Sequence, residues 1–210
     1  LLKADIGLEC EGGAIVCWLV LWGSYRGYGN LGGYHLVWPL DMVAAAGGLL
    51  AAGAHEEMKA MLRFLAVTQV SDGHWPQNMW LNGSAFWGGI QLDEAAFPIL
   101  LVDQARREKA IDAHELTRAW PMVQRAAVFV ATHGPSTEQD RWEENAGYSP
   151  FTLAVEISAL LCGADLADLA DQKVFANYLR DTADDWNASV EQFTYATGTE
   201  LAKRIGVDGY

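Results

Sequence analysis

The chain has 210 residues, 51% of them hydrophobic, which is enough apolar material for one sizeable core. Its 14 lysines and arginines against 27 aspartates and glutamates give a net charge of −13, which repels the phosphate backbone of nucleic acids. We therefore expect a single domain over residues 1–210 that binds an uncharged partner and no nucleic acid.

The sequence patterns typical of a membrane span and of a metal centre are not found in this chain. The longest uninterrupted apolar stretch, Ala14 to Trp22, is shorter than the roughly 20 residues that a spanning helix needs. The first residues do not resemble a signal peptide, and the compartment, secreted or cytoplasmic, stays open. The histidines and the cysteines Cys10, Cys17 and Cys162 lack metal-site spacing, so we expect no metal and no cofactor.

Apolar periodicity predicts six or seven helices and no convincing strand, and therefore an all-α fold. The predicted helices cover residues 12–22 (where a buried strand is the alternative), 41–52, 55–70, 86–110, 120–133, 151–171 and 174–192. We expect Pro98 to kink its helix or to fall in its first turn, Pro121 to begin the next helix and Gly134 to end it.

Loops rich in aromatic and polar residues separate alternate helices. They cover residues 23–33, 71–83 and 139–150, whereas the other junctions are short. This rhythm predicts stacked helical hairpins whose long loops gather at one end, where a functional site is expected.

The loop over residues 139–150 (QDRWEENAGYSP) has the strongest chemical signature in the chain. It combines three carboxylates with two aromatic rings, more than a helix connection requires. A carboxylic acid beside an indole can have its charged form disfavoured by lost hydration while its neighbours stay ionised, which suits acid catalysis. Glu143, which follows Trp142, is the candidate proton donor.

Three segments together resemble the bacterial branch of the glucoamylase and glucodextranase glycoside hydrolases. They are residues 32–43 (GGYHLVWPLDMV), residues 72–80 (DGHWPQNMW) with 89–94 (GIQLDE), and the acidic loop itself. The likeness runs from about residue 13 to residue 210. It implies part, about half, of an (α/α)6 barrel, and an enzyme that releases glucose from the ends of α-glucans, at α-1,4 or α-1,6 bonds, with inversion.

The resemblance also implies roles for individual residues. Glu143 matches the general acid, and Glu144 matches a residue that hydrogen-bonds the leaving sugar. Asp41 matches a carboxylate that grips hydroxyls of the terminal glucose, although from the sequence alone it is expected to cap the following helix. Tyr34 and Trp87 match aromatic residues beside the cleavage point.

The remaining implied contacts flank these residues. Asp140, Arg141 and Trp142 lead into the acid, with Arg141 expected to offer its backbone carbonyl, and Trp38 is a candidate for sugar contact. For the polar stretch 91–94 we favour structural support over lining of the site.

Two departures from the family pattern affect the expected activity. Leu40 stands where the family has an arginine, which removes a fork of donors for the sugar, and no catalytic base can be named in these 210 residues. One alternative is therefore a catalytically inactive sugar-binding remnant, and another is a hydrolase of a different glycoside. A half-barrel would also expose an apolar flank, so we expect a homodimer in which two copies could close the barrel.

Overall fold

The structure is a computed structural model that describes residues 12–14, 36–195, 198–200 and 203. Most of the helix predicted over residues 12–22, and also Tyr34, lie outside these described residues. Within them the chain forms seven helices and one small hairpin. The helices are α1 (Pro39–Ala51), α2 (His55–Thr68), α3 (Leu92–Arg107), α4 (Ala113–His133), α5 (Pro150–Leu169), α6 (Lys173–Ala188) and α7 (Val190–Thr194).

The first six helices form three hairpins arranged in two layers. α3 packs between α1 and α5, and each of these three is followed by an antiparallel partner, α2, α4 or α6. Within the inner layer α3 and α5 run parallel, because Asp93 faces Glu156 near one end while Ile99 faces Gly163 further along. The fold is thus all-α and consistent with part of an (α/α)6 barrel, as predicted.

The parallel inner helices bring the long loops to one end of the fold. The connections within the hairpins, at residues 52–54, 108–112 and 170–172, are short, whereas those between hairpins, at 69–91 and 134–149, are long. The N-termini of α1, α3 and α5 therefore share the end at which these two long loops lie, as the sequence rhythm predicted. The loop predicted over residues 23–33 lies outside the described residues.

The long loop after α2 contains a short antiparallel hairpin that periodicity missed. β1 (Asn78–Met79) pairs with β2 (Ala85–Trp87), and Met79 also pairs with Val37 ahead of α1. Two and three residues are too few to show an alternating pattern. The expectation of no strand, and of a helix from Phe86, is therefore wrong, since α3 begins only at Leu92.

Helix α4 begins seven residues before the predicted start. Asp112 caps it with a capping box, in which its side chain accepts from the Glu115 amide while the Glu115 side chain accepts from the Asp112 amide. Pro121 lies inside the helix rather than at its start. The cap satisfies amide groups that would otherwise lack partners, and this local signal outweighs the proline. Gly134 ends the helix as predicted.

Two further helix predictions are corrected by the structure. Pro98 lies inside α3, where it is buried, and not in its first turn, while the alternative of a kink stays a prediction. Asp41 is not a cap, because α1 begins at Pro39 after Trp38 and Asp41 lies in the first turn. The positive end of the helix dipole stabilises its carboxylate there, although Asp41 makes no capping hydrogen bond.

Helix α5 lies at the centre of the packing. An 18-residue window of it has a mean hydropathy of 1.4, and 56% of that window is buried. By length and composition this one described helix could cross a membrane, but it packs against α3, α4 and α6. Such burial is typical of the core helix of a helical domain.

The capping box of α4 yields a first prediction. Asp112→Ala leaves the Glu115 amide without its side-chain partner, so the free energy of unfolding should fall by about 1 kcal/mol. Urea unfolding followed by circular dichroism measures it. The slope of the unfolding free energy against urea concentration should not change, because Asp112 is exposed and buries no core surface. An unchanged midpoint would show that the packing of α4 is sufficient to hold its first turn without the cap.

Candidate active site

Main-chain and amide hydrogen bonds join the three loop segments at the N-termini of the inner helices. Val37 and Met79 exchange two bonds of 2.8 and 3.0 Å between N–H and carbonyl groups. The Gln91 side-chain amide, just ahead of α3, donates to the carbonyl of Asp140 at 2.9 Å. The segments that resemble the glycoside hydrolases thus meet in space, and the supporting role favoured for Gln91 is confirmed.

Thr137 anchors the base of the acidic loop to α3. Its hydroxyl accepts from the Leu92 amide at 3.2 Å and donates to the Gln139 carbonyl at 2.7 Å. Its main chain pairs with Gly147 on the other side of the loop, at 3.0 and 2.9 Å. The loop is therefore closed at its base and attached to the helix beneath it.

Asp140 organises the turn that carries the candidate acid. Its carboxylate accepts from the amides of Trp142 and Glu144, at 3.0 and 3.1 Å, and from the side chain of Asn145 at 3.3 Å. These donors, the Glu144 amide first, hold the pKa of Asp140 below its usual range. Both carboxylate oxygens are used within the turn, so Asp140 shapes the loop and the sugar contact implied for it stays a prediction.

Glu143 lies half-buried at the tip of this turn. Its backbone adopts a φ of 65°, which non-glycine residues seldom occupy, and its amide donates to the Asp140 carbonyl at 2.9 Å. One carboxylate oxygen, Oε1, accepts a hydrogen bond of 3.0 Å from the indole nitrogen of Trp38. The indole that contacts the acid is therefore Trp38, through its N–H edge, whereas the neighbouring Trp142 is 73% exposed.

Asp41 and Arg141 lie in the same region as Glu143. Partial burial raises the pKa of Asp41, with the Arg141 guanidinium opposing the shift and the Glu143 carboxyl adding to it. The guanidinium packs over the rings of Phe151, at 4.7 Å, and Trp142, at 5.3 Å. The side chain of Arg141, and not its carbonyl alone, thus belongs to the site.

The β1–β2 hairpin carries exposed aromatic rings. Trp87 is 44% exposed at the end of β2, where its amide donates to the Asn78 side chain at 3.1 Å. Trp80 packs edge-on against Phe86, whose ring in turn contacts Trp87. Trp80 is 39% exposed and therefore lies at the surface and not in the core. Glu144, which follows Glu143 in the turn, is also exposed, and the sugar contacts implied for Trp87 and Glu144 stay predictions.

Comparisons with known proteins give this arrangement a family. The profile of glycosyl hydrolases family 15 matches residues 72–204, more than half of the chain. The chain belongs to glycosyl hydrolases family 15. The resemblance seen in the loop segments is thereby confirmed at the level of the family.

Individual relatives match over most of this chain and a small part of their own. A glucoamylase of Clostridium is 37% identical over 93% of the chain and 27% of its own length. An uncharacterised glycosyl hydrolase of Methanocaldococcus jannaschii is 24% identical over 75% of the chain and 25% of its own length. A bacterial glucoamylase solved with acarbose superposes with a TM-score of 0.71 and 38% identity, over 78% of this chain and 23% of that one. The chain thus spans about a quarter of the length of these relatives.

Behind the loops, this family 15 chain buries three carboxyl groups that sequence reasoning treated as a polar helix edge or did not single out. Asp93 and Glu94 of α3 and Glu156 of α5 are all fully buried. Five of their six carboxyl oxygens lack a hydrogen-bond partner among the described residues. No linear pattern reports this burial, because it arises from the position of α3 between α1 and α5.

Desolvation shifts all three groups toward the neutral acid. Burial raises the pKa of Asp93 to about 6 and that of Glu156 to about 8. Burial also raises the pKa of Glu94 well above its usual value, and the nearby Asp93, Glu143 and Asp41 add to the effect. Glu94 therefore links the buried acids to the region of the candidate acid.

Other acidic residues have ordinary roles. The Arg180 guanidinium pairs with Asp165 at 2.9 Å and with Asp168 at 2.7 Å on a solvated helix face. Over the described parts of the chain, no three His, Cys, Asp or Glu side chains are grouped as a metal site requires.

Glu156 yields a prediction on pH and stability. Because its pKa rises from 4.5 to about 8 on folding, the folded chain keeps a proton that the unfolded chain releases. The stability that this group contributes is therefore fully present below pH 4.5 and is lost as the pH rises to about 8. Glu156→Gln should remove up to about 1.4 kcal/mol per pH unit from the decline of the unfolding free energy across that window.

Urea unfolding at several pH values measures this decline. The matched control is Glu138→Gln, since Glu138 is exposed and should leave the slope as it is in the parent chain. Parallel slopes for the parent and Glu156→Gln would mean that Glu156 is solvated in the folded protein.

Proposed function

We propose that the chain carries the acid side of the active site of an α-glucan hydrolase that releases glucose from chain ends with inversion, with Glu143 as general acid. The observation that carries the proposal is the hydrogen bond from Trp38 to Glu143, in a loop framed by exposed aromatic rings. The glucoamylase relative and the acarbose-bound glucoamylase support an oligosaccharide substrate.

The Trp38 indole suits a proton donor because an indole N–H can only donate a hydrogen bond. Its bond to Oε1 leaves Oε2 of Glu143 for the proton that moves to the glycosidic oxygen. As the bond to the anomeric carbon breaks, the same N–H stabilises the carboxylate that forms. Trp38 thus orients the acid and favours its product state.

Asp41, Arg141 and the aromatic rings would hold the sugar. A carboxylate accepts several hydroxyl donors at once, which suits Asp41 in the first turn of α1. The exposed rings of Trp87 and Trp142 offer flat apolar surface to sugar faces. The Asp41 carboxylate, which lies near Glu143, would also stabilise the positive charge that develops on the sugar ring.

Inverting hydrolysis also needs a second carboxylate, roughly 6.5–9.5 Å from the acid, to activate water. We assign that role to none of the described carboxylates. A second candidate function, sugar binding without turnover, is favoured by Leu40, whose position beside Asp41 holds an aliphatic side chain where a donor would contact the sugar.

Replacement of the acid tests the first proposal. Glu143→Gln should lower kcat for maltose by about two to four orders of magnitude, because proton donation is lost. Hydrolysis of α-glucosyl fluoride should fall much less, since its leaving group needs little protonation. Released glucose is measured for both substrates.

Glu144→Gln is the matched control, because it removes the neighbouring exposed carboxylate and should change KM more than kcat. Equal maltose rates for Glu143→Gln and the parent chain would exclude Glu143 as the acid. If the parent binds maltose in calorimetry without releasing glucose, and Asp41→Asn removes that binding, the second candidate function holds instead.

Position 40 yields a separate prediction on affinity. The Leu40 amide lies beside the Glu94 carboxyl, and Asp41 follows it, so Leu40→Arg would place a guanidinium next to two acids and supply donors for the sugar. We expect maltose to bind about tenfold more tightly, the effect of one hydrogen bond to a charged group. Calorimetry measures it, with Leu40→Met as a control of similar length. Unchanged affinity in Leu40→Arg would show that position 40 does not face the sugar.

A further inference from the structure

A cavity between the outer helices α2 and α4 lies away from the candidate active site. The two helices are joined at one end by the ion pair of Lys59 with Glu115, at 3.0 Å. At the other end the Gln69 side-chain amide donates to the Met122 carbonyl, at 3.0 Å, and the Arg125 guanidinium donates to Gln69 Oε1. Between these connections the helices leave a cavity of about 110 Å³.

The floor of this cavity is apolar. Leu62 and Met122 are buried, and the small side chains of Ala66 and Ala119 leave the space between the helices unfilled. Ile111, just ahead of α4, closes one side. An apolar cavity of this kind favours a hydrocarbon group over water.

The rim of the cavity is positively charged. Lys59, Arg63, Arg118 and Glu115 line it, and Lys59 is already paired with Glu115 and with Glu56. Arg63 and Arg118 are exposed and have no carboxylate partner among the residues that the structure describes. In a chain of net charge −13, two such guanidinium groups above an apolar floor are a localised site for an anion.

We propose that the cavity between α2 and α4 binds a small amphipathic anion, a short aliphatic carboxylate, with its tail on the apolar floor and its head group between Arg63 and Arg118. Guanidinium groups bind carboxylates with paired hydrogen bonds, which fixes the head group. A cavity of roughly 150 Å³ lined by apolar side chains holds benzene, so the smaller space here suits a tail of about four to six carbons.

Hexanoate and hexanol are the probes, because they share a tail and differ in charge. Each is titrated into the isotope-labelled 210-residue chain and followed by amide chemical shifts in NMR. Hexanoate should bind with a dissociation constant of roughly millimolar size and shift amides of α2 and α4, whereas hexanol should bind at least several-fold more weakly. Arg63→Gln with Arg118→Gln should weaken hexanoate binding at least tenfold.

Two control variants separate this site from general attraction of anions. Lys173→Gln with Arg180→Gln removes the same charge from α6 and should leave hexanoate binding unchanged. Ala119→Leu fills the cavity while keeping both arginines and should abolish binding of the tail. Equal weakening in the two charge variants, equal binding of hexanoate and hexanol, or full binding in Ala119→Leu would each overturn the proposal.

Discussion

The hydrogen bond between Trp38 and Glu143 is the interaction on which the proposed chemistry depends. It joins residues 105 positions apart, just ahead of α1 and in the loop before α5. Neither segment could hold it alone. Trp38 is placed by the pairing of Val37 with Met79, and Glu143 by the turn that Asp140 closes. The Gln91 amide then ties that turn to α3. The acid is thus positioned by all three inner helices, and a change in any connection between them would displace it.

The same helix ends control the electrostatics. The N-termini of α1 and α3 carry Asp41, Asp93 and Glu94 in their first turns, where the helix dipole favours negative charge. Loss of hydration disfavours the charged form and outweighs the helix dipole for the buried pair, since it raises the pKa of both Asp93 and Glu94. A carboxyl that stays neutral adds no charge to its surroundings. Glu94, whose pKa is raised well above its usual value, can therefore lie close to Asp41 and Glu143 without adding a negative charge.

The parts of the fold that the sequence predicted are those with a local cause. Gly134 ends α4, and the site has no room for a side chain, because a Cβ would lie 2.5 Å from the Trp186 ring and 2.8 Å from Glu156 Oε1. Apolar periodicity located α2 and α5 to within two residues of their ends. The start of α4 was missed because Pro121 indicates a helix start, whereas the capping box at Asp112 sets the actual start. The hairpin was missed because its strands, of two and three residues, are too short to show an alternating pattern.

The candidate site divides in the same way. Glu143, Asp41 and Arg141 could be proposed from loop composition and resemblance, because the type of each residue indicates the chemistry that it can perform. The identity of the indole beside the acid could not, since Trp142 is adjacent in sequence whereas Trp38 is adjacent in space. The buried acids and the cavity between α2 and α4 are likewise products of packing. Because α2 and α4 run in the outer layer, they can leave a gap without disturbing α1, α3 and α5. The candidate active site thus depends on close packing of the inner helices. The cavity, in contrast, exists because the outer helices α2 and α4 do not pack closely.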